Sequence, residues 1–252
     1  MEVLPKISII TIVYNDVKNI EKTIKNVLFE QEYSNKEYIV IDGGSTDGTL
    51  EVINKYRDKI RTVVSEKDRG ISDAFNKGTK LASGELIGLI NSGDYYEANI
   101  LSEIAHLFLK SDSSIQFRVI HGKLTLFNSE TSKTYLPKSL DTFTFQMPIW
   151  HPTCFVSREV YVKMQYDLDY KVAMDYDLFS RIYADKGAFY FLDKTVAHMN
   201  TEGISNVNAT KGFDEVCKAS IKNLKVPSWK AYLYREYRKV LFHVVNLKKR
   251  IC

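Results

Sequence analysis

Leu86-Ile87-Gly88-Leu89-Ile90-Asn91-Ser92-Gly93-Asp94 joins five apolar positions to a run of turn formers. A short apolar run, entered from Gly84 and left through Asn, Ser and Gly, predicts an interior strand. Asp94 then falls just past the strand's C-terminal end, where open α/β sheets bind ligands. A carboxylate there can hold a divalent cation against a diphosphate. It can equally be a plain turn residue, since all four closing residue types favour turns.

Upstream, Ile7–Val13, Glu37–Ile41 and Arg61–Ser65 read as three more strands. Helical patterns separate them. One runs from Val17 to near Glu32, with Ile20, Ile24, Val27 and Leu28 on one face; another starts near Asp47, with Leu50, Ile53 and Tyr56 inward. A third precedes the Leu86 strand, with Ile71, Ala74, Phe75, Gly78 and Leu81 inside and Asp73, Asn76, Lys77 and Lys80 outside. Alternating strands and helices imply an α/β fold with a mostly parallel sheet and right-handed crossovers. After a helix over 98–110 the pattern changes. Ile115–Gly122, Lys123–Phe127, Lys133–Leu136, Phe189–Leu192 and Thr195–His198 read as short, partly antiparallel strands, and Ser157–Met164 and Ala173–Ala184 as helices. A helix over 206–224 is cut by Pro227 from a C-terminal tail. Residues 1–110 and 111–205 are thus expected to be halves of one domain, with 206–252 a helical extension.

The chain of 252 residues, 44% hydrophobic and 26% charged, has the composition of a globular protein. It lacks an apolar run of bilayer length and an N-terminal signal pattern, so a cytoplasmic location is expected. Cys154, Cys217 and Cys252 are too scattered for a disulfide framework or a zinc site. Charge is uneven: residues 229–252 hold seven Lys/Arg against Glu236, while the rest has 28 basic and 30 acidic residues. A near-neutral body predicts no nucleic-acid partner.

Four polar clusters follow the first four strands: Tyr14-Asn15-Asp16, Asp42 through Thr49, Glu66 through Gly70 leading to Asp73, and Asn91 through Asp94. Parallel strands place them on one rim. Acids crowded there cost stability unless a cation or hydrogen-bond donors compensate, which argues for a ligand. The turn after Asp42 is neither GxGxxG nor a Walker loop, so a dinucleotide or P-loop ATP site is not expected. Asp42 closes an apolar strand and is placed to accept the imide N–H of a uracil.

These pieces, in order, resemble family 2 glycosyltransferases of the GT-A fold, inverting nucleotide-sugar enzymes of bacterial surface-polysaccharide synthesis. The match is carried by Ser8-Ile9-Ile10-Thr11-Ile12-Val13-Tyr14-Asn15, by Ile39-Val40-Ile41-Asp42-Gly43-Gly44-Ser45-Thr46-Asp47-Gly48-Thr49, by Ser65-Glu66 with Asp68 through Gly78, and by Asn91-Ser92-Gly93-Asp94. It is dense over residues 5–95 and weaker to 205. The resemblance implies a Rossmann-like, nucleotide-sugar-binding sheet in residues 1–110 and a partly antiparallel acceptor and base half in 111–205. It implies a UDP-sugar donor, with Asp42 on uracil and Thr11, Val13, Tyr14 and Asn15 around base and ribose. Asp73 falls near the nucleotide or donor sugar, and Asn91 and Gly93 beside it. Asp94 matches the last acid of the DxD motif, which binds Mn²⁺ or Mg²⁺. Gly93 and Asn91 stand where many members carry further acids, so the nucleotide itself is expected to complete the metal shell.

By the same resemblance Met174-Asp175-Tyr176-Asp177 matches the region of the general base, giving Asp175 that role ahead of Asp177. His151 is expected in the acceptor or donor-sugar pocket, and His198, with Gly203-Ile204-Ser205, near the diphosphate. The acceptor implied is a saccharide, with undecaprenyl-diphosphate-linked sugars common in the family. In the tail, Trp229, Tyr232, Leu233, Tyr237, Leu241, Val244 and Val245 alternate with basic residues at helical spacing. That pattern suits either a helix on the inner face of the cell membrane or one packed on the body. Two rival readings keep the fold: a nucleotide-sugar-binding pseudoenzyme marked by Gly93 and Met174, and a nucleotidyltransferase. The latter would need a basic Gly-rich loop after the first strand, where Tyr14-Asn15-Asp16 stands.

Overall fold

The computed structural model describes residues 4–201 and 209–251. Four parallel strands, β1 (Ile7–Val13), β2 (Lys36–Asp42), β3 (Thr62–Ser65) and β4 (Leu86–Asn91), lie in the order β3-β2-β1-β4. Their continuous apolar runs follow from cover on both faces. Ile7, Ile9 and Val13 turn with Val40 to the side of α1 (Ile20–Phe29); Ile10 and Ile12 turn with Ile39 and Ile41 to the other side. The chain continues through the short α2 (Thr49–Asn54) and then α3 (Ile71–Leu81), which packs on β1 and β2. Strand order therefore reverses at β1 and β4, and the crevice opens beyond their C-terminal ends.

The same sheet runs on through the second half in the order β4-β8-β6-β9-β5, with β7 beside β6. Here β5 is Tyr95–Tyr96, β6 Arg118–Phe127, β7 Ser132–Tyr135, β8 Phe155–Ser157 and β9 Ala188–Asn200, while α4 (Ile100–Lys110) joins the core on the α1 side. The partly antiparallel character is present, since β8 runs against both β4 and β6. The expected breaks at Gly122-Lys123 and Asp193-Lys194 are not breaks. β6 and β9 are single long strands in parallel register, and β9 absorbs its extra residues as irregularities opposite Gly122–Leu124. A bulge bends a ladder without ending it.

One helix face is also corrected. Ile71 and Leu81, at the two ends of α3, are exposed. Asn76 is buried instead, its amide donating to the Tyr166 carbonyl and accepting the Tyr166 N–H, both at 2.9 Å. The backbone near Tyr166 covers that side of the helix, and an amide is the side chain that satisfies it.

After α5 (Arg158–Lys163) and α6 (Met174–Ala184), helix α7 (Ala209–Leu224) packs on α6 and helix α8 (Ser228–Ile251) packs on α7. Pro227 sits at the joint.

At the opposite end of the sheet from the crevice, buried Glu37 pairs with Lys6 at 2.7 Å and Arg61 at 3.0 Å and accepts from Ser8 and Ser83. Burial alone would raise its carboxyl, but Lys6, Ser8 and Ser83 reverse this and hold it at about 2 against an ordinary 4.5. A lowered acid stabilises the fold above its unfolded pKa and stops doing so as pH falls through its folded one. Glu37→Gln should lose roughly 1–3 kcal/mol of unfolding free energy at pH 7 in urea titrations. The gap to wild type should close between pH 4.5 and about 2.

Candidate active site

Side chains from one rim loop hold the backbone of the next. Ser45 accepts the Asn15 N–H at 2.8 Å, and Asn15 accepts the Thr46 N–H at 2.9 Å. Thr49 and Asp47 accept from the amides of Asp16 and Val17. Asp16 in turn accepts the Ser92 hydroxyl at 2.6 Å, which ties the loop after β1 to the turn after β4. Asp73 holds the third cluster: it accepts the Arg69 N–H at 3.0 Å, and the Arg69 guanidinium at 3.1 Å keeps its carboxyl below the usual range.

Asp42, expected on the uracil, is tied into the turn that follows β2. Its carboxylate has no exposed surface and accepts from the Ser45 amide and hydroxyl and from the Ser65 hydroxyl. In this arrangement it shapes the turn and offers no oxygen to the crevice. Thr11 and Val13 are buried too, with Thr11 bonded to the Tyr38 hydroxyl, so only their backbone borders the site. The exposed surface there belongs to Tyr14, whose ring lies against Gly43. A Cβ on Gly43 would come within 2.7 Å of an Asp68 carboxylate oxygen, so a larger residue there would push that side chain aside.

The turn after β4 is fixed by its glycine. Gly93 has φ +90°, costly for any other residue, and its N–H donates to the buried Thr23 hydroxyl at 3.0 Å. Asp94 is buried. One oxygen accepts the Asn200 N–H at 2.9 Å, and the other forms no hydrogen bond among the described residues. Burial raises its carboxyl to about 6; the Asn200 amide and His151 only moderate this, and Asp16 adds to it. No group of three His, Cys, Asp or Glu gathers as a metal shell among the described residues. A cation still fits as partner to this one acid: the carboxylate has an open oxygen and too little positive charge around it. Its remaining ligands would come from the nucleotide.

The second carboxylate is Asp175, in the first turn of α6. Its Oδ2 lies 3.1 Å from His151 Nδ1, and His151 Nε2 lies 3.4 Å from the amide of Asn91 at the end of β4. His151 reaches this place because β8 runs back along β4, and the turn before β8 carries the imidazole to the rim. Burial disfavours its charged form, but Asp175, with Asp94 behind it, outweighs burial and raises its pKa above 6.5. An imidazolium donates from both nitrogens. Turning the Asn91 amide over lets its otherwise unpartnered Oδ1 accept from Nε2. Asp175 Oδ1 is likewise unpartnered.

Other expected residues lie apart from this group. Asp177 is fully buried, locked by Arg181 at 2.8 Å and by Asn223 at 3.0 Å. His198 stacks on Tyr95 at 4.5 Å and bonds Glu97 at 2.9 Å. Ser205, with Gly203 and Ile204, lies outside the described residues. One residue that carried no sequence signal matters greatly. The Glu215 carboxylate on α7 accepts the amides of Lys171, Val172 and Ala173 at 2.8–3.1 Å, capping α6 one turn before Asp175. It meets those amides across more than 40 positions, so no local pattern marks it.

Solved structures share the GT-A glycosyltransferase architecture. S. aureus TarS 1-349 in complex with UDP superposes with a TM-score of 0.68 at 19% identity, covering 91% of this chain and 69% of that one. The mannosyltransferase PcManGT of Pyrobaculum calidifontis, in complex with GDP-Man and Mn²⁺, gives 0.66 at 17%, covering 92% and 70%. By sequence, an uncharacterized glycosyltransferase of Mycobacterium tuberculosis (strain CDC 1551 / Oshkosh) is 28% identical over 179 residues, 70% of this chain and 68% of its own length. Chondroitin synthase of Pasteurella multocida (strain Pm70) is 28% identical over 216 residues, 82% of this chain but 22% of its own length. Residues 8–164 match the family described as glycosyl transferase family 2. The chain belongs to that family and is a glycosyltransferase.

Asp94→Asn removes a buried negative charge while keeping the acceptor for Asn200. The sign follows from the raised pKa: the folded state resists ionisation, so the charge costs stability above about pH 6 and nothing at low pH. The variant should gain roughly 3 kcal/mol at pH 8 and close to none at pH 4 in thermal or urea unfolding. It should lose any Mn²⁺-dependent gain in nucleotide affinity, measured by calorimetry.

Proposed function

We propose that the chain moves a hexose or N-acetylhexosamine from a UDP-sugar to a saccharide hydroxyl by inverting single displacement, with Asp175 as base. The observation that carries this reading is the Asn91–His151–Asp175 contact. It puts a carboxylate from the second half beside the end of β4, where the donor half ends. Asp175 takes the proton of the acceptor hydroxyl, whose oxygen bonds to the anomeric carbon of the donor. The bond from that carbon to the diphosphate breaks, and its electron pair leaves with UDP. His151 orients Asp175 and faces the leaving group with positive charge. A Mn²⁺ or Mg²⁺ held by Asp94 would offset charge growing on the diphosphate. Support for a uridine donor comes from TarS, solved with UDP and with UDP-GlcNAc, while PcManGT was solved with GDP-Man. In this reading residues 1–110 hold the donor, 111–205 bring the acceptor and the base together, and 206–252 form a helical basic tail.

A panel of UDP-, GDP- and dTDP-sugars, assayed for Mn²⁺-dependent nucleotide release, tests the reading. At least one UDP-sugar should turn over. Asp175→Asn should cut kcat by about 10²–10⁴-fold while leaving UDP affinity near wild type. A wild type that binds nucleotide-sugars but releases nucleotide from none would instead be a binding protein without transfer activity.

The reading extends to where the acceptor is met, the cytoplasmic face of the cell membrane. No helix of the described residues is long and apolar enough to cross a membrane. Yet α8 exposes Trp229, Leu233, Tyr237, Val240 and Val244, one stripe at spacings of four and three, with Lys230 beside it. An amphipathic face of this kind suits an anionic lipid surface and an undecaprenyl-diphosphate-linked acceptor. The wild type should sediment with phosphatidylglycerol vesicles and much less with phosphatidylcholine ones. Leu233→Asp with Val240→Asp should stay in the supernatant.

A further inference from the structure

A cavity of about 430 Å³ lies between the N-terminal turn of α6, the inner sides of α7 and α8, and the segment 138–147. Asp175, whose carboxylate meets His151 at 3.1 Å, is also among the residues that line this cavity. Its aromatic lining includes Phe145, stacked on Tyr234 at 4.7 Å, and Phe213. Such faces suit the apolar side of a sugar ring.

The charge in the cavity is the telling part. Arg235 and Lys239, on neighbouring turns of α8, both pair with Asp214. Arg238 lies between them in sequence and lines the cavity without a carboxylate partner among the described residues. It rests over Phe213 at 4.9 Å and donates to the Tyr234 hydroxyl at 3.3 Å. The Lys138 ammonium, also in the lining, donates to Gln146 at 2.8 Å and has no carboxylate partner among the described residues. A half-buried guanidinium held by aromatic rings, with its planar fork unspent, is built to receive an oxyanion. The one acid in the wall, Asp175, is already engaged by His151.

We propose that this cavity is the acceptor site, and that it takes a saccharide bearing an anionic group, a phosphate ester or a carboxylate, bound by Arg238 and Lys138 while a hydroxyl of the sugar faces Asp175. The proposal rests on Asp175 being the base.

The test compares acceptors within each variant, so a general loss of activity cancels. Matched neutral, uronate-bearing and phosphate-bearing oligosaccharides are offered with the donor found above. Wild type should prefer one anionic class over the neutral acceptor by about 10–100-fold in kcat/KM, and which one identifies the group. Arg238→Ala should bring that ratio close to one, Arg238→Lys should keep part of it, and Lys138→Ala, at an exposed position, should lower it several-fold. An unchanged ratio in both alanine variants, or a wild type that prefers the neutral acceptor, overturns the proposal. A second arm needs no transfer: calorimetry of glucose 6-phosphate, glucuronate and glucose against protein saturated with UDP. Binding of an anionic sugar that Arg238→Ala abolishes supports the site, and no preference over glucose overturns it. Failure of every nucleotide-sugar to turn over would count against the base assignment, while this second arm still decides whether the cavity holds anionic sugars.

Discussion

His151 stands between two carboxylates that water reaches poorly, and the arrangement of the rim depends on that imidazole. It meets Asp175 at 3.1 Å through Nδ1 and Asn91 at 3.4 Å through Nε2, and Asp94 is near enough to favour its charged form. Placing it there requires β8 to reverse along β4, and that reversal ends the parallel half of the sheet. The topology of the second half thus serves an electrostatic need in the first. Asp175 is held by a comparable device, since Glu215 caps α6 from a helix outside the sheet. The base position therefore depends on packing between α6 and α7 as well as on the sheet.

The loops show how acids are tolerated in such a place. Asp16, Asp42, Asp47 and Asp73 each accept at least two protein donors, mostly amides or hydroxyls of neighbouring loops. Their charge is spent on fixing backbone. Asp94, though buried, has one amide donor and one oxygen without a hydrogen bond among the described residues. Crowding acids on one rim thus has two physical outcomes, and only one of them calls for a ligand.

Much of this was legible in the sequence. β1 to β4 are short apolar runs ending in turn formers, and burial on both faces leaves them little alternative. The roles proposed for Asp94 and Asp175 came from the family resemblance, carried by the order and spacing of motifs along the chain. What failed to show was whatever depends on partners distant in sequence. Asp42 looks like an open acceptor until Ser65 folds over it. Asn76 looks like a surface residue until the Tyr166 backbone covers it. Polar pairs at Gly122-Lys123 and Asp193-Lys194 mimic turns because a bulge needs the same residue types. Glu215 could not be found at all, because a carboxylate capping another helix leaves no local trace.

The bond that steadies Asp94 comes from the main chain of residue 200, not from its side chain. Any residue except proline donates the same N–H. The contact with Asp94 asks of position 200 only that N–H. The single substitution expected to break that contact is proline, which standard alanine scanning never samples.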